Sequence, residues 1–247
     1  PIALSQDVLS EFALLDFETE LAPEIAKMEA DFVSRMLEKF VMNVTALNNY
    51  LKCPLQFYYQ NLVRVPSGKS EATEFGSAVH YALEKLFSKM QEQEKFPELR
   101  VFIDDFEWYM HRHRENFTKE EFNRRMEQGQ IVLTDYYQQY LNSWNKVVAV
   151  ERSIRNVVVE GVPLKGKLDK LEFDGSNVNV VDYKTGDVEK ARKKLMPPDD
   201  KEPNGGDYWR QAVFYKILVD HYNQKNWKVV STEFDFIEPD KKKQFKT

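Results

Sequence analysis

One cysteine, Cys53, stands in 247 residues. That excludes a disulfide within the chain and fits a reducing, cytoplasmic compartment. No apolar run approaches the ~20 residues that a membrane-spanning helix needs. No basic start followed by a continuous apolar stretch marks a secretory signal, so no membrane partner is expected. The chain contains no GxxxxGK[ST] segment and therefore no recognisable phosphate loop for ATP. Positive charge is in deficit: 35 Lys and Arg face 40 Asp and Glu, a net charge of −5. This argues against a protein that coats nucleic acid non-specifically. A local basic groove stays open, because acidic patches elsewhere can dominate the sum. Lys190, Arg192, Lys193, Lys194 and Lys241-Lys242-Lys243 are candidates for one, although such runs are more often solvated faces.

Apolar residues make up 42% of the chain and aromatics are plentiful, enough for a substantial core. The length suits one large domain or a domain with a helical extension. A chain that opens on Pro1 is expected to be a fragment or to have lost an initiator Met. The first forty residues have a helical pattern interrupted at Pro23, which suggests a helical N-terminal arm over 1–43. Thr45 is the expected N-cap of a helix over 46–52, and Pro54 interrupts that helix or begins the next. Phe57, Tyr58 and Tyr59 are expected to fill the core beneath a site. An amphipathic helix is expected over 71–92, from Phe75, Val79, Leu83, Leu86, Phe87 and Met90 at helical spacing. Gly76, His80 and Glu84 form a neighbouring stripe, and Gly76 implies close approach of a backbone or ligand there.

A helical insert is expected over about 97–145. Its stripe Tyr136, Tyr137, Tyr140, Leu141 and Trp144 is read as core, and the cluster from His111 to Arg114 as a solvated face. Strands follow. Val148–Val159 alternates as a first strand, with Glu151 near its start. Gly166–Phe173 and Val178–Lys184 then flank the turn Asp174-Gly175-Ser176-Asn177, the pattern of a β-hairpin. Its register sets Leu171 opposite Val180, Asp169 opposite Asp182 and Lys167 opposite Lys184. Strict alternation then places Asp169, Asp182 and Lys184 on the face that carries Leu171, Phe173, Val178 and Val180. Opposed carboxylates repel, and a divalent cation between them removes the repulsion. Mg²⁺ prefers such oxygen ligands, and a lysine alongside can hold a phosphate or the attacking water. The alternative is a surface hairpin whose aspartates pair with Lys167, Lys170 and Lys184. A mobile loop over 196–206, a helix over 207–225 and a strand over 228–237 complete the pattern.

Gly-Lys-Leu-Asp169 followed by Val-Val-Asp182-Tyr-Lys184-Thr-Gly resembles the core of the PD-(D/E)XK nucleases, and most closely their RecB/AddB/Cas4-like branch. Three further segments agree in order: Leu47–Tyr59, Phe75–His80 and Trp209–Tyr215. The resemblance covers roughly 44–90 and 148–238. It implies an α/β fold with a restriction-endonuclease-like core, a central mixed sheet flanked by helices. Added to this are a large helical N-terminal part and the helical insert, so that the nuclease domain spans 44–247.

The resemblance also implies a Mg²⁺- or Mn²⁺-dependent deoxyribonuclease, with Asp169, Asp182, Lys184, Gln211 and Tyr215 as catalytic residues. His80, Asp169, Asp182 and the Tyr183 backbone carbonyl are the implied metal ligands. Imidazole is softer than Mg²⁺ prefers, so Mn²⁺ is accommodated well. Some members of the superfamily carry a glutamate before the hairpin, and Glu151 is assigned here to a second shell or the surface. Several relatives hold an iron–sulfur cluster on four cysteines. Cys53-Pro54 resembles the first of these, but this chain has no other cysteine and cannot build a Cys₄ cluster alone. Cys53 is then expected to be a small buried residue.

The implied role is the exonuclease domain of a helicase–nuclease in double-strand break repair, a nucleoid-associated function in a bacterial-type cytoplasm. DNA, single-stranded or a duplex end, is the partner, with a helicase motor in the same parent chain or a partner subunit. The alternatives are a non-catalytic DNA-binding or scaffold module of the same fold, and a stand-alone Cas4-like nuclease without a cluster.

Overall fold

The structure is a computed structural model in which residues 30–247 are described. The break expected at Pro23, and most of the arm expected over 1–43, lie outside the described residues. Two compact units emerge. One takes the chain up to Phe40 together with Asn49–Val65, the other Val41–Asn48 and Pro66–Thr247.

The first unit contains helix α1 (Ala30–Glu38), the end of α2 (Val44–Lys52) and the short α3 (Pro54–Phe57). Asn43, not Thr45, caps α2: its Oδ1 accepts the Ala46 N–H at 2.9 Å, and Thr45 already lies inside the helix. Pro54 begins α3, where its missing N–H costs nothing. Cys53 is the extended residue between the two helices and is half-buried rather than buried. Phe57 sets its edge against Phe40 and Tyr50, with ring centroids at 5.3 and 5.6 Å. Phe57 and Tyr58 are buried, but Tyr59, inside the π-helical turn Tyr58–Leu62, is exposed and does not fill the core.

The second unit is built on a four-stranded sheet in the order β1 (Val148–Val159), β2 (Val162–Asp174), β3 (Asn177–Lys184), β4 (Lys228–Phe236). The first three strands run antiparallel, and β4 pairs parallel with β3. A parallel pair needs a crossover. It is supplied by α7 (Val188–Ala191), a 3₁₀ turn at Arg192–Leu195 and α8 (Asp207–Asp220). Helix α8 is shorter than the sequence pattern suggests. Asp220 ends it by accepting the Val229 N–H at 2.7 Å, which turns the chain into β4.

One sheet face carries α4 (Glu71–Gln93), covered in turn by α5 (Leu99–Arg112) and α6 (Lys119–Tyr140). Ser70 caps α4, accepting the Thr73 N–H at 3.2 Å. The stripe expected for α4 is buried throughout. The segment expected as a helical insert supplies much of this core: Phe102, Phe106, Leu133 and Tyr136 are buried with Val181 and Tyr183 of β3. At Gly129 a Cβ would fall 2.1 Å from the Phe106 ring, so only glycine lets α6 close on α5. The opposite face carries α8, whose Phe214, Tyr215, Leu218 and Val219 pack on Leu171, Val178 and Val180. Together these elements form an α/β fold with a mixed sheet between helices. Among the described residues no helix is long and apolar enough to cross a membrane.

Asp235 of β4 is buried beneath the α6 layer, where Tyr136 donates a hydrogen bond to its Oδ2 and its Oδ1 accepts none. Burial pushes its pKa from 3.8 up to about 6, although the Tyr136 bond and the Lys170 charge pull it down. The folded chain therefore holds this proton more tightly than the unfolded chain. The associated stability is full below pH 3.8 and is lost as pH rises through about 6. The loss amounts to about 3 kcal/mol at pH 8. Asp235→Asn should retain the Tyr136 bond and escape this loss. In urea unfolding, its stability relative to the parent chain should rise by up to that amount between pH 4.5 and 8. A constant difference would refute the assignment.

Candidate active site

Glu151 and Asp169 reach the same place because β1 and β2 break their alternation at the same level. On β1, Val148 and Val150 join the α4-side core, while Arg152 and Ile154 pack towards the α8 side. The sidedness slips at Glu151, whose φ of 50° is left-handed and strained for a residue without glycine's freedom. On β2, Leu164 and Leu168 face α8, as do Leu171 and Phe173, although the two pairs differ in parity. Between them Asp169 contacts His80, and Lys170 lies over the Phe87 ring, both on α4. Strict alternation would have put Asp169 beside Leu171. The paired slip corrects that expectation and turns both Glu151 and Asp169 towards α4.

The β2–β3 ladder follows the expected register from Asp174↔Asn177 to Lys170↔Val181, where it stops. Beyond it the Tyr183 N–H donates to Asp169 Oδ2 at 2.9 Å, so a carboxylate occupies the place of the next strand bond. The other oxygen, Oδ1, lies 3.3 Å from His80 Nδ1. Ligand atoms of His80, Glu151 and Asp169 all lie within 4.8 Å of one another. They line a cleft of about 500 Å³ with Thr73, Gly76, Ser77, Lys167 and Thr185. Gly76 permits the close approach expected of it: a Cβ there would sit 3.1 Å from Thr185 Oγ1. Lys167 closes an ion pair on Glu151.

Asp182 is buried on the α8 side. Its Oδ1 accepts from Gln211 Nε2 at 2.8 Å and from the Tyr215 hydroxyl at 2.9 Å. Gln211 Nε2 also donates to the Tyr215 oxygen at 2.6 Å, and Gln211 Oε1 accepts from Lys184 Nζ at 2.9 Å. Lys184 Nζ lies 2.5 Å from Asp182 Oδ2 as an ion pair, but outside hydrogen-bond geometry, so that buried oxygen accepts no hydrogen bond. Residues one turn apart on α8 thus grip the strand pair Asp182 and Lys184 directly. Tyr183 enters the site through its N–H.

The electrostatics follow from this crowding. Burial raises the Asp182 pKa and the Asp169 charge raises it further, against the pull of Lys184 and Tyr215. Burial likewise raises Glu151, opposed by Lys167. Burial alone would lower His80, but the Asp169 hydrogen bond and charge, with Asp182 and Glu151, raise it overall.

A hairpin with an aspartate on each strand and a lysine two residues beyond the second, served by a Gln-x-x-x-Tyr helix, is the pattern on which the sequence resembles a nuclease family. The model of the PD-(D/E)XK nuclease superfamily matches residues 41–246. The chain belongs to that superfamily. No curated protein matches the sequence. The PD-(D/E)XK match runs from the start of the second unit's first segment almost to the C-terminus and includes every side chain of the site.

A divalent cation, which the superfamily implies, suits the residues present. Two carboxylates and an imidazole offer mostly hard donors within 4.8 Å, close to the span across an octahedral ion with bonds of about 2.1 Å. Asp182 Oδ2 is a further acceptor with no hydrogen bond. His80, Asp169 and Asp182 were legible as candidate ligands in the sequence. Glu151, read there as second shell or surface, stands in the first rank of the cluster, while Asp182 is not one of its three members. No sequence signal marks a left-handed φ at a glutamate, so the turn of Glu151 into the cleft was not readable.

Clustered carboxylates destabilise the metal-free fold, and a bound cation relieves them. Asp169→Asn should raise the melting temperature in EDTA by a few degrees. It should also abolish the upward shift that Mn²⁺ gives the parent chain. Equal Mn²⁺ shifts in the two proteins, read by calorimetry, would exclude Asp169 as a ligand.

Proposed function

We propose that the chain is a Mg²⁺/Mn²⁺-dependent deoxyribonuclease, and that it serves as the exonuclease domain of a RecB/AddB-like helicase–nuclease in double-strand break repair. The single observation that carries the reading is the locked Asp182–Lys184–Gln211–Tyr215 network beside the His80, Glu151 and Asp169 cluster. A buried carboxylate whose second oxygen meets only the Lys184 ammonium suits a reactive site better than a structural hairpin.

In this reading His80, Glu151 and Asp169 hold the cation, with Asp182 completing its surroundings. When bound, such an ion polarises the phosphodiester and lowers the pKa of an attacking water. Gln211 and Tyr215 fix the Asp182 carboxylate in one orientation. Lys184, kept in place by Asp182, Gln211 and the faces of Tyr208 and Phe234, presents a compact positive charge where negative charge develops on the phosphoryl oxygens. The Thr73, Ser77 and Thr185 side chains line the cleft and suit phosphate oxygens. The branch assignment rests on the ordered segments Leu47–Tyr59, Phe75–His80 and Trp209–Tyr215. With no phosphate loop in the sequence, a motor would lie elsewhere in the parent chain or in a partner, in the cytoplasm.

End-labelled single- and double-stranded DNA, with Mn²⁺, Mg²⁺ or EDTA, tests the reading. Metal-dependent release of short products from the labelled end is expected, with closed circular DNA left intact. Lys184→Ala should lower the rate by roughly 10²–10³-fold and Tyr215→Phe by about tenfold. Unchanged degradation in Asp182→Ala would defeat the proposal. DNA binding without any Mn²⁺ binding would favour the non-catalytic module instead.

A further inference from the structure

Next to the cleft, α4 and α5 raise a short stack of rings that the catalytic reading does not use. Tyr81 of α4 and Trp108 of α5 lie parallel, with centroids 5.3 Å apart and planes 21° apart. Tyr109 tilts against Tyr81 at 5.3 Å, and its hydroxyl donates a hydrogen bond to Glu74 Oε1 at 3.0 Å. Cations stand at both ends of the stack: Lys85 Nζ is 5.2 Å from the Tyr81 ring and the Arg112 guanidinium 5.3 Å from the Trp108 ring.

Helix α5 buries Phe102, Ile103, Phe106 and Met110, so Trp108 is not part of its core face and is 49% exposed. A lone exposed aromatic is ordinary. This one is backed by a second ring, flanked by two cations and continuous with the cleft, which Tyr81 and Tyr109 themselves line. The neighbouring acids on α5 are already engaged: Asp104 with Arg100 at 2.7 Å and Asp105 with Lys89 at 2.6 Å. Arg112 carries no such partner among the described residues. Flat apolar faces beside cations match the alternation of base and phosphate in an unpaired strand.

We propose that Tyr81, Trp108 and Arg112 form a stacking platform for single-stranded nucleic acid, on which an unpaired base displaces the Arg112 guanidinium from the Trp108 face. Arg112 then meets the adjoining phosphate, and the strand runs on past Tyr81 into the cleft. Inside a duplex the bases are stacked on one another and only a terminal pair exposes a face, so the platform favours unpaired strand. The proposal takes its substrate class from the nuclease reading, but its test is binding and not cleavage.

Fluorescence anisotropy in EDTA would compare a labelled oligo(dT) with an abasic oligomer of equal length and charge. The parent chain should bind oligo(dT) about tenfold more tightly. Trp108→Ala should lose that preference and Trp108→Phe should keep most of it. Arg112→Ala should weaken both oligomers alike, and a blunt duplex should compete poorly. Equal binding of the two oligomers by the parent chain, or a preference that survives in Trp108→Ala, would overturn the platform. Because Trp108→Phe preserves the ring, a fold defect in the alanine variant would not hide the result. Trp108-dependent binding without metal-dependent cleavage would fault the nuclease reading alone, and cleavage with Trp108-independent binding would fault the platform alone.

Discussion

Mutual repulsion among Glu151, Asp169 and Asp182 is the constraint on which the rest of the second unit turns. Each carboxylate left to itself would seek water, yet Asp182 is buried and the other two line a cleft. They stay because each is held from a different direction. Lys167 meets Glu151, His80 and the Tyr183 N–H meet Asp169, and Lys184, Gln211 and Tyr215 meet Asp182. No one of these contacts neutralises the cluster. Burial, and after it the Asp169 charge, keeps the pKa values of Asp182 and Glu151 raised in spite of these partners.

Rigidity on both faces of the sheet makes the arrangement affordable. The core formed by α4, α5 and α6 fixes the helix that carries His80, and the core under α8 fixes Gln211 and Tyr215. The site therefore sits between two separately packed layers, on regular elements and not on loops. Its one strained point, the left-handed backbone at Glu151, lies between strand residues whose pairing with β2 holds it in place. Strain that neighbouring structure enforces in this way is characteristic of functional sites.

Much of the fold could be read from pattern. The α4 stripe, the limits of β1, the hairpin register from the turn to Lys170↔Val181 and the core role of Tyr136 and Tyr137 follow from periods of 3.6 and 2 and from turn chemistry. Asn43 displaced Thr45 as a cap because both residue types cap well and only the backbone path decides between them. The end of α8 is set by the contact of Asp220 with β4, which no local signal reveals.

The sequence by itself determined the hairpin, its turn and the strand positions of Asp182 and Lys184, since turn chemistry and alternation are local properties, and the order of its motifs carried the resemblance that named His80, Gln211 and Tyr215. Only the tertiary structure decided how they divide. The simultaneous slip of β1 and β2 brought Glu151 and Asp169 to the histidine, and left Asp182 to the glutamine and tyrosine on the other helix. A break in alternation depends on how two neighbouring strands and the helices on either side pack together, and no single stretch of residues encodes that.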